Sequence, residues 1–197
     1  MHKTGVTLIW LPWSGKTTLS KAVIEKLPEW HIHDHDDDGL ESTYGLGKWW
    51  IARYIEEYGD SAFLRYEEDF TLAHYGNREE WKTFHFDTML FSSSGSIILS
   101  EAAIEHVRKR THTILIDIPR CVVLRQIQER DDGTERIVGM HGGPNEKPRS
   151  YSLEEELIFR ESLYKKYADV SLRYHPWESL EITSDRLHRI IQNLGVL

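Results

Sequence analysis

The chain has 197 residues, of which 40% are hydrophobic and 28% are charged, and its formal net charge is −8 at pH 7. These values predict one globular domain over residues 1–197 and exclude a disordered chain. The acidic balance argues against nucleic acid or an anionic membrane surface as partners. We expect a monomer or weak oligomer. A single cysteine, Cys121, excludes an internal disulfide and favours the cytoplasm.

Apolar runs that are typical of buried strands alternate with runs at helical spacing. Strands are predicted at residues 6–11, 31–34, 88–93, 113–118 and 170–174. Helices are predicted at residues 15–27, within 49–70, and at 101–110, 121–130, 153–167 and 185–194. This order predicts an α/β fold, a three-layer α/β/α sandwich around a parallel sheet of about five strands. The polar segment 131–150 is long enough to be a lid.

The first predicted strand leads into a phosphate-binding motif. Residues 14–18 read Ser-Gly-Lys-Thr-Thr and match the second half of the P-loop pattern G-x-x-x-x-G-K-[ST]. Backbone amides at the start of a helix form a nest for anions. We therefore expect ATP phosphates to be bound by five residues, Ser14, Gly15, Lys16, Thr17 and Thr18. In this interpretation Lys16 reaches the β- and γ-phosphates and Thr17 binds Mg²⁺; the alternative is a helix that merely starts with a polar cap.

Two tryptophans depart from the P-loop pattern. Trp10 occupies the position of its first glycine, and Trp13 directly precedes Ser14. A side chain at such a position hinders the close backbone approach that glycine permits, so we expect nucleotide binding to be weakened. Two alternatives to an active kinase with native tryptophans are open. The chain could be a non-catalytic module whose nucleotide site is blocked, or the source organism could read the codons of Trp10 and Trp13 as glycine.

An acidic cluster follows the second predicted strand. Residues 34–38 read Asp-His-Asp-Asp-Asp, at the edge of a parallel sheet where ligands bind. The alternatives are a solvated acidic turn and a zinc site. A zinc site would use His31, His33 and His35 as ligands. The sequence has no second cluster of zinc-binding residues to complete it, and a Mg²⁺-type loop is close by, so we favour Mg²⁺ over zinc.

With these motifs the chain resembles the shikimate kinase family over nearly its whole length. The resemblance implies phosphoryl transfer from ATP, with Mg²⁺, to a hydroxyl of a small polar acceptor. It implies that Asp34 lies near Mg²⁺ and that Asp36 orients the acceptor hydroxyl and can deprotonate it. The register of these acids stays open by a residue or two. A P-loop kinase for a nucleoside, nucleotide or sugar acid is the alternative.

The acceptor-binding motifs of the family are only partly kept. Residues 59–67 resemble its G-E-x-x-F-R-x-x-E motif, but Leu64 stands where the family has an arginine for the shikimate carboxylate. Arg65 is about 100° further around a helix and does not simply replace it. Ser94-Gly95-Ser96 stands in place of a glycine triplet, and Gly95 is expected to contact the acceptor.

Three arginines complete the resemblance. Arg130 falls where the family stacks an arginine on adenine, and Arg136 falls on the lid, where it would neutralise the transferring phosphoryl group. Arg160, within Arg-Glu-Ser-Leu-Tyr, matches the arginine that pairs with the substrate carboxylate. Because Leu64 stands in place of the second arginine that binds the shikimate carboxylate in the family, the sequence predicts that shikimate itself is a poor acceptor.

Overall fold

The computed structural model describes residues 3–11, 14–36, 50–74, 88–129 and 153–196. Five parallel strands form one sheet in the order β2-β3-β1-β4-β5. The strands are β1 (Gly5–Ile9), β2 (His31–Asp34), β3 (Met89–Ser92), β4 (Thr111–Asp117) and β5 (Val170–Arg173). The predicted parallel sheet of about five strands is therefore confirmed.

Helices cover both faces of the sheet. They are α1 (Lys16–Ile24), α2 (Trp50–Tyr58), α3 (Asp60–His74), α4 (Glu101–Arg108), α5 (Arg120–Glu129), α6 (Leu153–Tyr167) and α7 (Leu180–Asn193). α1 packs against α7, whereas α3 packs against both α2 and α4. Right-handed crossovers from this strand order place α1 on one face and the helices that precede β3, β4 and β5 on the other, which gives the three-layer sandwich.

The central strands are buried on both faces. Every residue of β1 and of β3 is buried, as expected for strands between two helical layers. Thr7 is the one polar side chain of β1, and its hydroxyl lies 2.6 Å from that of Thr111 on β4. This bond satisfies two buried hydroxyls inside an otherwise apolar core.

Two local features differ from the prediction. The helical region after residue 49 is broken at Gly59, whose φ of +82° ends α2 before α3 begins. The last helix begins at Leu180 rather than at residue 185, because the Ser179 side chain accepts a hydrogen bond from the Ile182 amide and caps it. Leu180 and Ile182 are exposed, so an apolar pattern could not reveal this first turn.

Some predicted features lie outside the described residues. These are the lid at 131–150, Trp13, Arg130, Arg136 and the acids Asp37 and Asp38. Within the part of the chain that is described, no helix has the length and apolar character needed to cross a bilayer.

Candidate active site

Three loops meet at the carboxyl edge of the sheet. They follow β1, β2 and β3, which are neighbours in the sheet. The first carries the P-loop residues, the second carries Asp34 and Asp36, and the third carries Gly95 between two serines. This edge is where ligands bind in open α/β sheets, so the fold brings the predicted phosphate, metal and acceptor residues to one place.

Gly15 sets the turn from the P-loop into α1. It caps the helix in the left-handed conformation, with φ of +78° and ψ of 17°, which other residues adopt only under strain. Its carbonyl accepts a hydrogen bond from the Leu19 amide at 2.8 Å, so helical bonding starts at once. Ser14 is partly buried, and Thr18 is exposed on the first turn. The geometry of this helix start suits the binding of an anion.

Lys16 is folded back onto its own loop. Its ammonium donates to the carbonyl of Trp10 at 3.0 Å and to that of Leu11 at 2.9 Å. Burial lowers the pKa of Lys16 to about 8, while the charges of Asp36 and Asp34 oppose the shift. A buried ammonium held mainly by neutral carbonyls gains strongly from a nearby anion. The geometry therefore suits phosphate binding.

Thr17 and Asp34 bring together two oxygen atoms that could bind a magnesium ion. The Thr17 hydroxyl donates to Asp34 Oδ2 at 2.5 Å, and Asp34 Oδ1 accepts from the Asp36 amide at 3.2 Å. A hydroxyl and a carboxylate are hard oxygen ligands, and Mg²⁺ commonly takes one or two of these together with substrate phosphates. The donor set thus fits Mg²⁺.

The histidines of β2 do not gather into a zinc site. His33 stacks on Phe91 with ring centroids 5.8 Å apart, and His35 packs edge-on against Phe91 and Phe70. Among the described residues, no group of three or more metal-binding side chains forms. His33 and His35 thus pack among aromatic core residues, and His35 Nε2 also lies 3.7 Å from Glu67 Oε1.

Trp10 lies in the core. Its side chain is 2% exposed, and its ring packs at a tilt against Tyr164 of α6, with centroids 5.1 Å apart. Its indole nitrogen has no hydrogen-bond partner among the described residues. The sequence predicted that this side chain would hinder the approach of a nucleotide to the backbone, whereas the structure packs the indole into the core against α6.

The expected acceptor residues Gly95 and Arg160 contact each other. The Gly95 carbonyl accepts hydrogen bonds from Arg160 Nη1 at 3.0 Å and from the Tyr164 hydroxyl at 2.6 Å. Arg160 is fully buried, and its Nε donates to Glu156 one helical turn earlier. Burial raises the pKa of Glu156 to about 7, and the Arg160 charge opposes the shift. The Arg160 guanidinium is thus engaged by groups of the protein itself.

Glu67 is a buried acid whose importance the sequence reasoning missed. It is 1% exposed, and its Oε1 accepts hydrogen bonds from the Ser94 hydroxyl and, at 3.0 Å, from that of Ser96. Burial raises the pKa of Glu67 to about 7 against these two bonds. Its Oε2 has no hydrogen-bond partner in the described part of the chain. The last position of the 59–67 motif was the signal, since a glutamate is expected there.

Comparisons with known proteins support the fold and identify a family. A family model described as shikimate kinase matches residues 12–190. Shikimate kinase from Acinetobacter baumannii in complex with shikimate superposes with a TM-score of 0.70 at 18% identity, covering 97% of this chain and 94% of that one. Shikimate kinase from Bacteroides thetaiotaomicron superposes with a TM-score of 0.67 at 18% identity, covering 96% of this chain and 98% of that one. Shikimate kinase from Aquifex aeolicus superposes with a TM-score of 0.64 at 18% identity, covering 97% of this chain and 98% of that one. A search of curated proteins returned no match.

Proposed function

The chain belongs to the shikimate kinase family, and we propose that it transfers the γ-phosphoryl group of ATP to a hydroxyl of a small polar metabolite. The observation that carries the proposal is the arrangement at the start of α1. There Lys16 lies buried beside the left-handed Gly15 turn, and Thr17 is bonded to Asp34. Phosphoryl transfer depends on positioning and charge stabilisation, which this set of residues supports.

The P-loop residues would bind the nucleotide. Amides around Gly15 and Lys16 point from the helix start toward an anion, and Ser14 and Thr18 flank them. Phosphate oxygens would replace the carbonyls of Trp10 and Leu11 as partners of Lys16, bringing its charge to the β- and γ-phosphates.

Thr17 and Asp34 would hold Mg²⁺ through their oxygens. When bound, the ion would neutralise the phosphate charge. The backbone amide of Asp36 donates to Asp34 Oδ1, and the charge of its carboxylate acts on Lys16, so Asp36 belongs to the same site. We propose that Asp36 orients the acceptor hydroxyl and accepts its proton during transfer. Arg130 and Arg136 remain proposals for adenine stacking and for closure over the phosphoryl group.

The acceptor would lie against the loop after β3. Gly95 and Arg160 are the residues proposed for it from the sequence, and Glu67 joins them because its Oε2 lies buried with no partner among the described residues. When Glu67 is ionised, this oxygen can accept a hydrogen bond from a second acceptor hydroxyl. These groups and Asp36 suit a ligand with several hydroxyls.

The test is the Lys16→Ala variant, with Lys21→Ala as its matched control. Both lysines lie on α1, but Lys21 is exposed. Acceptor-dependent ADP release and ATP binding are measured for both. We expect Lys16→Ala to lose at least about a hundredfold in turnover, as when one charge-stabilising donor is removed, and Lys21→Ala to behave as wild type. Undiminished turnover in Lys16→Ala would refute the proposed function.

A further inference from the structure

We infer that His35 is a positioning residue for the proposed phosphoryl transfer. It holds the acids at the end of β2 in place against the loop after β3, by way of the buried carboxyl of Glu67. The inference rests on the proposed kinase function and adds a residue to that same site. It is carried by buried polar contacts that connect these two loops through α3.

The two acids that flank His35 in the chain both act on the P-loop. Asp34 accepts the hydrogen bond from the Thr17 hydroxyl, and the charge of Asp36 acts on Lys16. His35 itself is fully buried and packs edge-on against aromatic rings of α3 and β3. Its ring is thus anchored in the core, while the acids on either side of it belong to the site.

His35 comes close to Glu67 on α3. Its Nε2 lies 3.7 Å from Glu67 Oε1, and the two side chains are 0% and 1% exposed. This distance exceeds that of a hydrogen bond, so the contact is electrostatic, and it is stronger than at a surface because water is excluded. The charge of Arg160 also acts on Glu67. Two basic side chains from different elements therefore act on this one carboxyl.

The same oxygen of Glu67 holds the loop after β3. Ser94 and Ser96, which flank Gly95, both donate hydrogen bonds to Glu67 Oε1. One buried oxygen therefore fixes both sides of Gly95 and also faces His35. Any displacement of that oxygen changes the distance between the acids at the end of β2 and the proposed acceptor loop. A misplacement of about 1 Å can lower a rate by up to about a hundredfold.

The experiment replaces the histidine in two ways. His35→Leu has a similar volume but lacks the ring nitrogens, whereas His35→Gln places an amide nitrogen near the position of Nε2. His33→Leu is the matched control, since His33 lies two residues earlier and stacks on the same Phe91. ADP release with shikimate as the probe acceptor gives kcat and KM. ATP binding as a function of Mg²⁺ concentration and urea unfolding are measured alongside, at pH 8, above the pKa of about 7 of Glu67.

We expect His35→Leu to lower kcat at least about tenfold while KM for ATP at saturating Mg²⁺ changes less than about threefold, since the P-loop is intact. We expect His35→Gln and His33→Leu to stay within about threefold of the wild-type kcat. A wild-type kcat in His35→Leu would overturn the inference. A loss that His33→Leu shares, or that His35→Gln does not recover, would assign the effect to packing and would also overturn it.

Glu67→Gln, alone and combined with His35→Leu, tests the route. If His35 acts through Glu67, the combined loss in kcat is smaller than the product of the single losses, and losses that multiply would overturn the inference. A wild type that does not bind ATP would refute the proposed function. If wild type binds ATP but does not phosphorylate shikimate, His35→Leu is still expected to raise the Mg²⁺ concentration for half-maximal ATP binding at least about threefold, through Asp34. An unchanged concentration would then overturn the inference.

Discussion

The hydroxyl of Thr17 and the carboxylate of Asp34 lie 2.5 Å apart, although the strands that lead to these two residues are not neighbours in the sheet. Thr17 follows β1 and Asp34 ends β2, and β3 runs between these two strands. The bond therefore joins the nucleotide loop to the proposed acceptor side across the central crevice. Such a link positions both oxygens for one cation without a larger cluster of acidic ligands.

This pair predicts a specific effect on the use of Mg²⁺. Thr17→Val keeps the shape of the side chain and removes its oxygen, so we expect the Mg²⁺ concentration for half-maximal turnover to rise tenfold to hundredfold, on the order of losses at metal sites. Thr17→Ser keeps the hydroxyl and is the matched control. The measurement is turnover against Mg²⁺ concentration at fixed ATP. An unchanged Mg²⁺ requirement in Thr17→Val would remove Thr17 from the proposed metal site.

Much of the fold followed from local patterns. The strand at 31–34 and the helix at 153–167 have the predicted bounds, because apolar runs and helical spacing are strong where elements are buried. The P-loop residues lie at a helix start after a buried strand, as the motif indicates. Here local sequence and tertiary packing favour the same structure.

The side-chain partners of the site were less predictable. Glu156 and Arg160 are four residues apart, so their contact could have been foreseen, but the complete burial of Arg160 could not. That burial depends on Gly95, 65 positions away in the chain. The position of the Trp10 indole likewise depends on Tyr164, which comes from the distant α6. Long-range packing of this kind leaves no periodic signal in a single sequence.

The packing of Trp10 predicts a large cost when the indole is removed. Trp10→Ala leaves a cavity beside Tyr164, and we expect it to lower the free energy of unfolding by about 3–5 kcal/mol. Trp177→Ala is the control, since that indole is 79% exposed, and we expect a change of about 0.5 kcal/mol or less. Urea unfolding measures both. A Trp10→Ala protein as stable as the parent would contradict the packed position of the indole.

Glu67 predicts a pH dependence of stability. Its pKa is raised from 4.5 to about 7 by burial, so the folded protein keeps a proton that the unfolded chain releases. Its contribution is therefore complete below pH 4.5 and is lost as the pH rises through 7. Glu67→Gln cannot titrate, and we expect its stability relative to wild type to rise by up to about 3 kcal/mol between pH 4.5 and pH 8. Urea unfolding across this range measures the difference. A constant difference would mean that the carboxyl is ionised in the folded state.

Leu64 gives the sharpest prediction about the acceptor. Leu64→Arg places a guanidinium one helical turn from Glu67, where it can pair with that buried carboxyl and offer its remaining donors to a substrate carboxylate. A charge-assisted hydrogen bond contributes roughly 1.5–3 kcal/mol, so we expect kcat/KM for shikimate to rise about tenfold to hundredfold. Leu64→Met is the control, because it keeps the volume without the charge.

The two variants separate charge from packing. Leu64 is 2% exposed, so the arginine must reach the acceptor side from a buried position, and its stability is measured alongside the kinetics. A gain for shikimate with Leu64→Arg but not with Leu64→Met identifies the missing guanidinium as the cause of weak carboxylate recognition. If wild type phosphorylates shikimate as efficiently as the arginine variant, the apolar side chain does not restrict the acceptor. The enzyme would then be assigned to shikimate.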